Sequence, residues 1–317
     1  MLKLVFFICL SVLNFVTVAN VQSAEDVKIE SVKVGKYSYY IKGMSGAASE
    51  ENQGFMSNAG FVVTRDGVVV FDTLGTPVLA KNMVSAIAKI TKQPIKLVII
   101  SHYHADHIYG MQVFKALGAE IWAHTDGQIY LASEVAQQRL KQRREVLEPW
   151  VDENTRLVPA DKWLTGDTSF EMGGLHFQLP FVGPAHSPED IALFVQEDGV
   201  LYSGDLVFKG RVPYVGNANS RLWLKALDKL IEFKPKFMIP GHGSFSSTPV
   251  EDLKLTRDYL NYVREVMGNA VKNFESFDEA YDKADWSKFS KLPAFLDANR
   301  PNAYNTFLLM ESESMSK

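Results

Sequence analysis

Three imidazoles and a carboxylate fall within the run His102-Tyr103-His104-Ala105-Asp106-His107. The run follows the apolar stretch Leu97-Val98-Ile99-Ile100 and leads into Gly110, so it sits where a strand ends and the chain bends. Nitrogen and oxygen donors at this density suit a divalent transition metal. His102 and His104 stand at i and i+2, which in extended chain points both to one side. Asp106 and His107 fall past the bend and can aim at a second ion. Further donors lie downstream: His186 in Gly183-Pro184-Ala185-His186-Ser187-Pro188, Asp205 in Leu201-Tyr202-Ser203-Gly204-Asp205, and His242 in Pro240-Gly241-His242-Gly243. Each follows a short apolar or alternating segment, the pattern of a sheet delivering side chains to one rim.

In these motifs the chain resembles the metallo-β-lactamase superfamily, matching Asp72, the His102–His107 cluster, His186, Asp205 and His242 in order over roughly residues 55 to 245. The resemblance implies an α/β fold, a four-layer αββα sandwich with metals at one sheet edge and C-terminal helices added. It implies that His102, His104 and His186 hold one metal, that Asp106, His107 and His242 hold another, and that Asp205 bridges them. The implied cofactor is two Zn2+ per chain, although the same donors hold iron or manganese. A hydroxide shared by the two ions would attack an acyl carbonyl, with Asp106 orienting it and relaying its proton. Behind the ligands, Asp72 would fix a histidine tautomer.

Cysteine usage narrows the class. The single cysteine, Cys9, lies in an N-terminal apolar stretch and is preceded by Phe7-Ile8 rather than by the small residue of a lipoprotein signal. Residues 1–24 read as a secretory signal: Lys3 is the basic start, Leu4 to Val18 the apolar run, and Ala19, Ser23 or Ala24 candidate cleavage points. The mature chain therefore has no disulfide and no thiolate ligand. This excludes the lactamase subclass with cysteine at the position of Asp205 and favours the glyoxalase II-like branch, where aspartate bridges. The string from His102 to Gly110, with Asn58-Ala59-Gly60-Phe61, looks most like exported metallo-hydrolases associated with quinoprotein and sulfur-oxidation systems.

Export, to the periplasm in a Gram-negative cell, is the expected location, with no stable membrane anchor after cleavage. The 317 residues are 46% hydrophobic and 22% charged, enough for one large domain. Without residues 1–24 the chain carries 32 basic and 37 acidic residues, net −5, a poor balance for nucleic acid. The expected partner is a small-molecule substrate; the sequence is silent on oligomeric state.

The elements that must position the donors follow from periodicity. Strands are expected at 36–41, 59–64 and 67–72, with Arg65-Asp66-Gly67 as a hairpin turn. A helix over 77–91 follows Thr76, strand 96–100 delivers the cluster, and a short helix runs from Gly110 to Leu117. After strand 119–124, residues Gln128–Glu148 predict one long helix. Strands near 168–172, 175–181, 191–196 and 199–203 precede a helix capped at Asn219 or Ser220 that runs to about Phe233, and strand 236–239 brings His242. Thr248-Pro249-Val250-Glu251 reads as a capping box. Leu260, Val263, Met267, Val271 and Phe274 form a core-facing stripe, with further helix and a loose tail over 275–317. These divide the chain into a signal (1–24), a catalytic domain (25–250) and a helical extension packed on it (251–317).

Smaller expectations concern substrate. Tyr103 and Tyr109 flank the cluster as candidate pocket residues. Lys209 and Arg211, with Tyr214 and Asn217, are candidates to grip a carboxylate, and Phe55 and Met56 to form a lip. Beside the acyl hydrolase stand three alternatives: a β-lactamase of the histidine and aspartate subclass, a mononuclear iron persulfide dioxygenase, and a non-catalytic metal-binding protein.

Overall fold

The computed structural model describes residues 27–315; the signal reading of residues 1–24 lies outside them. Chain order is β1 (Ser31–Lys33), β2 (Ser38–Ile41), β3 (Ala59–Val63), β4 (Val68–Phe71), α1 (Pro77–Ile90), β5 (Ile95–Ile99), α2 (Ala105–Ile108), α3 (Met111–Ala116), β6 (Glu120–His124), α4 (Gly127–Leu131) and α5 (Glu134–Leu147). There follow β7 (Lys162–Leu164), β8 (Thr168–Met172), β9 (Leu175–Leu179), β10 (Leu193–Val195), β11 (Val200–Phe208), α6 (Ser220–Glu232), β12 (Phe237–His242), α7 (Pro249–Lys272), α8 (Phe277–Lys283) and α9 (Phe295–Met315).

Strand alternation builds the four layers. The first sheet runs β1-β2-β3-β4-β5-β6-β7, antiparallel from β1 to β4 and parallel from β4 to β7. The second runs β12-β11-β10-β9-β8, with only β12 and β11 parallel. Along β4, Val68 and Val70 face α1 and α3, while Val69 and Phe71 face the other sheet. Along β11, Val200 and Tyr202 enter the same inter-sheet core, and Leu201 packs toward α6 and α7. Helices therefore cover both outer faces, giving the αββα sandwich with two outer cores and one between the sheets.

Local chemistry sets most boundaries. Thr76 caps α1 through Leu79 N (3.1 Å) with Pro77 in its first turn, and Asn219 caps α6 through Leu222 N (3.1 Å). The single helix expected over 128–148 is two, because Ser133 caps a fresh start through Ala136 N (3.2 Å). The capping box at Thr248 does not form. Asp252 instead accepts from Ser246 Oγ (2.5 Å) and Thr248 Oγ1 (3.3 Å), so the Thr248 hydroxyl turns away from the helix amides. The stripe on α7 buries Leu260, Val263 and Met267, but Phe274 lies past the helix end at a positive φ and is 98% exposed.

The loose tail expected at the end is α9, packed along α7. A buried polar network ties it down: Tyr259 Oη donates to Asn299 Oδ1 (2.9 Å), and Asn302 Nδ2 donates to Pro213 O (2.7 Å) while Asn302 Oδ1 accepts from Val215 N (2.8 Å). The last two bonds hold the loop after β11, so the terminal helices reach one wall of the metal centre described below. Asn302→Ala leaves a buried backbone donor and acceptor without partners. The expected cost is about 2–4 kcal/mol, read as a lower urea midpoint at unchanged slope.

Candidate metal centre

Two parallel strands and two connecting loops bring the donors to one edge between the sheets. β5 ends at Ile99, and the chain bends at Ser101, runs through His102 to an extended His104, then turns into α2, which carries Asp106 and His107. His186 sits in the loop before β10. Asp205 lies within β11 rather than after it, because the strand runs on to Phe208. Gly204 makes this possible: at φ +53 it breaks the register with β12 on both sides and turns Asp205 toward the ligands. A side chain at Gly204 would meet Ser101 Cβ at 2.8 Å, and one at Gly241 would meet Asp205 Oδ1 at 1.9 Å.

The seven donors form two sets, His102, His104, His186 and Asp205 in one, and Asp106, His107 and His242 in the other. His104 Nδ1 is 3.0 Å from His102 Nε2 and 2.9 Å from His186 Nε2. Asp205 faces both sets. Its Oδ2 is 3.9 Å from His102 Nε2, 3.6 Å from His186 Nε2 and 3.2 Å from His242 Nε2, and its Oδ1 is 3.2 Å from His107 Nε2. Asp106 Oδ2 is 3.4 Å from His242 Nε2 and 3.7 Å from His107 Nε2.

Hydrogen bonds behind the ligands decide which nitrogens carry protons. Asp72, at φ +62 just after β4, accepts from Ser101 N, Ser101 Oγ and His107 Nδ1, each at 2.8 Å. Since the Ser101 hydroxyl donates to Asp72, it accepts from His102 Nδ1 (2.8 Å). His242 Nδ1 donates to Met56 O (2.7 Å), a carbonyl that can only accept. In neutral imidazoles all three Nε2 atoms are then bare lone pairs, directed at carboxylates or at another imidazole. Lone pairs do not stabilise lone pairs, and His107 Nε2 and Asp205 Oδ1 are buried without hydrogen-bond partners. A cation among them resolves the conflict, and the donor set suits zinc.

Electrostatics divides the histidines the same way. Burial holds His102 and His104 below the ordinary imidazole value and His186 down at about 3, so all three stay neutral ligands. Burial also opposes charge on His107 and His242. There Asp205, Asp106 and, for His107, Asp72 outweigh it, raising His107 well above its usual value and His242 to about 9. A metal would take the place of those protons.

The structure places the other sequence candidates differently. Tyr103 and Tyr109 are fully buried in the core beneath the first sheet, with Tyr103 stacked on Trp163 (6.0 Å). Phe55 joins the same core. Lys209 pairs with Asp252 (2.7 Å), so it is spent on the fold. Arg211 lies against the centre: its guanidinium is 5.9 Å from the Phe208 ring, and Phe208 stacks on His242 at 5.0 Å and 7°. Its Nη1 is buried without a hydrogen-bond partner. Tyr214 approaches both His104 and His186, with ring centroids at 6.3 and 6.5 Å. Residues that sequence reasoning missed are Ser101, the Met56 carbonyl and Trp223, which packs edge-on to His186 (5.1 Å). A serine directly before a histidine cluster was a usable signal; a backbone carbonyl carries none.

Comparison with known proteins agrees with this geometry. A family model described as the metallo-beta-lactamase superfamily matches residues 52–242. A linear primary-alkylsulfatase from Pseudomonas sp. is 24% identical over 74% of this chain, and the chain spans half that protein's length. A type 2 metallo-beta-lactamase from Elizabethkingia meningoseptica is also 24% identical, over 71% of this chain and 82% of its own. Among solved structures, a metallo-beta-lactamase from Pontibacter korlensis aligns with TM-score 0.60 at 20% identity, covering 74% of this chain and 99% of that one. A stereoselective inverting sec-alkylsulfatase from Pseudomonas sp. aligns with TM-score 0.70 at 17% identity, covering 89% of this chain and half of that one.

Proposed function

From the premise that the chain belongs to the metallo-β-lactamase superfamily of metal-dependent hydrolases, we propose an exported dinuclear zinc hydrolase acting on a small molecule. Its substrate carries a thioester, lactone or amide-like acyl bond and an anionic group. The observation that carries this reading is Asp205, whose carboxylate lies between the two sets of ligands, Oδ2 facing His102, His186 and His242 and Oδ1 facing His107. His102, His104 and His186 would hold one ion, Asp106, His107 and His242 the other, with Asp205 between them. Bound there, the pair supplies an acidified water and Lewis-acid polarisation of the scissile group.

The chain's own residues do the rest. Asp72 keeps His107 and, through Ser101, His102 in the tautomer that offers Nε2. Burial works against charge on Asp106, but His107 and His242 outweigh it and hold its carboxyl far below the usual carboxylate range. Asp106 thus stays an acceptor, able to orient a water and receive its proton. Arg211 offers a buried donor for a substrate anion. Likeness to an alkylsulfatase over 74% of the chain supports a second reading, in which the bond cleaved is a sulfate ester.

The test is hydrolysis of thioesters, lactones, β-lactams and alkyl sulfates by the zinc-loaded protein. Arg211→Met is expected to raise KM for anionic substrates by about 10- to 100-fold with little change in kcat. No turnover of any acyl substrate, with turnover of alkyl sulfates, transfers the assignment to the second reading. Equal effects of the substitution on anionic and neutral substrates remove Arg211 from recognition.

A further inference from the structure

Glu189 is 4% exposed, sits three residues after His186, and has no ion pair among the described residues. A buried carboxylate without a cation is costly unless it satisfies donors that nothing else reaches. Its Oε1 accepts from Tyr103 N at 2.9 Å. That amide lies between His102 and His104, in a stretch without regular structure and hence without a sheet or helix partner.

The same short segment makes two further ties. Ile191 N donates to Ser101 O (3.0 Å), one residue before His102. Asp190 accepts from both Ser187 N and Ser187 Oγ at 2.7 Å, folding the chain tightly just after His186. Backbone and side chain of residues 187–191 thus grip the two loops that carry the first ligand set, whereas the Nδ1 hydrogen bonds that orient His107 and His242 run to Asp72 and Met56 O.

We propose that Glu189 is a positioning residue for the first metal site: its bond to Tyr103 N sets the distance between the His102–His104 loop and the His186 loop. The inference rests on the two-site reading above. It predicts a selective effect, in which loss of the bond loosens the His102, His104 and His186 set and leaves the other set intact.

The experiment titrates Co2+ into metal-free protein against a chromophoric chelator, with thermal unfolding measured in parallel. His186→Ala identifies which binding step belongs to the first site. Glu189→Ala and Glu189→Asp, the latter too short to reach Tyr103 N, are expected to weaken that step by about 10- to 100-fold and the other step less than twofold. Glu189→Gln keeps an acceptor oxygen and is expected to restore the parent affinity. If Glu189→Ala does not fold, the aspartate and glutamine variants decide. Parent-like first-site affinity in Glu189→Asp, or equal weakening of both steps, overturns the proposal even where unfolding temperature drops. Absence of two steps in the parent protein overturns the two-site reading itself.

Discussion

Asp205→Asn is expected to lower kcat/KM by about a thousandfold or more, roughly 4 kcal/mol of transition-state stabilisation. Metal content should fall from two ions per chain to one or fewer. The argument is geometric: Asp205 Oδ1 faces His107 while Oδ2 faces His102, His186 and His242. The amide has no charge and one oxygen, so its NH2 must point hydrogens either at His107 or at the cluster of His102, His186 and His242, where lone pairs are needed. Fold is not the casualty, since Gly204 and Gly241 already leave room for this side chain. Metal analysis with steady-state kinetics on the folded variant checks the result; full activity with two bound ions would refute the bridge.

Asp72→Asn should be nearly as damaging although it touches no metal. If the amide oxygen keeps the bond to Ser101 N, its NH2 faces His107 Nδ1 and Ser101 Oγ. Nδ1 of His107 must then accept, which moves its proton onto Nε2. Ser101 Oγ, no longer donating to a carboxylate, is free to donate to His102 Nδ1 and do the same there. Two ligands in different sets present hydrogens where lone pairs are needed. Metal affinity should fall about 10- to 100-fold at each set, while asparagine tolerates the left-handed backbone at this position. Competition titration checks it, and unchanged affinity with loss of stability alone would reduce Asp72 to a turn residue.

Much of the sandwich was legible because its signals are local. Unbroken apolar runs at Val68–Phe71 and Leu97–Ile99, and caps at Thr76 and Asn219, are local one-dimensional patterns. The donors were legible for the same reason: histidine and aspartate bunched at strand ends have few structural uses. What failed were features set by tertiary context. β11 runs past Asp205 because a glycine bulge absorbs the turn, and nothing in Ser203-Gly204-Asp205 separates a bulge from a strand end. Phe274 continues a helical period but falls two residues beyond the helix, past its cap Asn273. The tail reads as loose because Pro301 and its many polar residues hide a helix whose buried face is mostly small or polar, and whose Asn302 bonds to a loop some 90 residues earlier. Likeness to alkylsulfatases was not visible in the ligand motif, which the superfamily's different hydrolases share.

The central claim is that Asp205 joins two ion sites in one chain. Its most direct test is metal content and identity, by mass spectrometry, of the protein purified without added metal or chelator. Two zinc per chain, lost together on Asp205→Ala, is the expected result. A single iron per chain, unaffected by excess zinc, would contradict it and direct the search to oxygen-dependent sulfur chemistry.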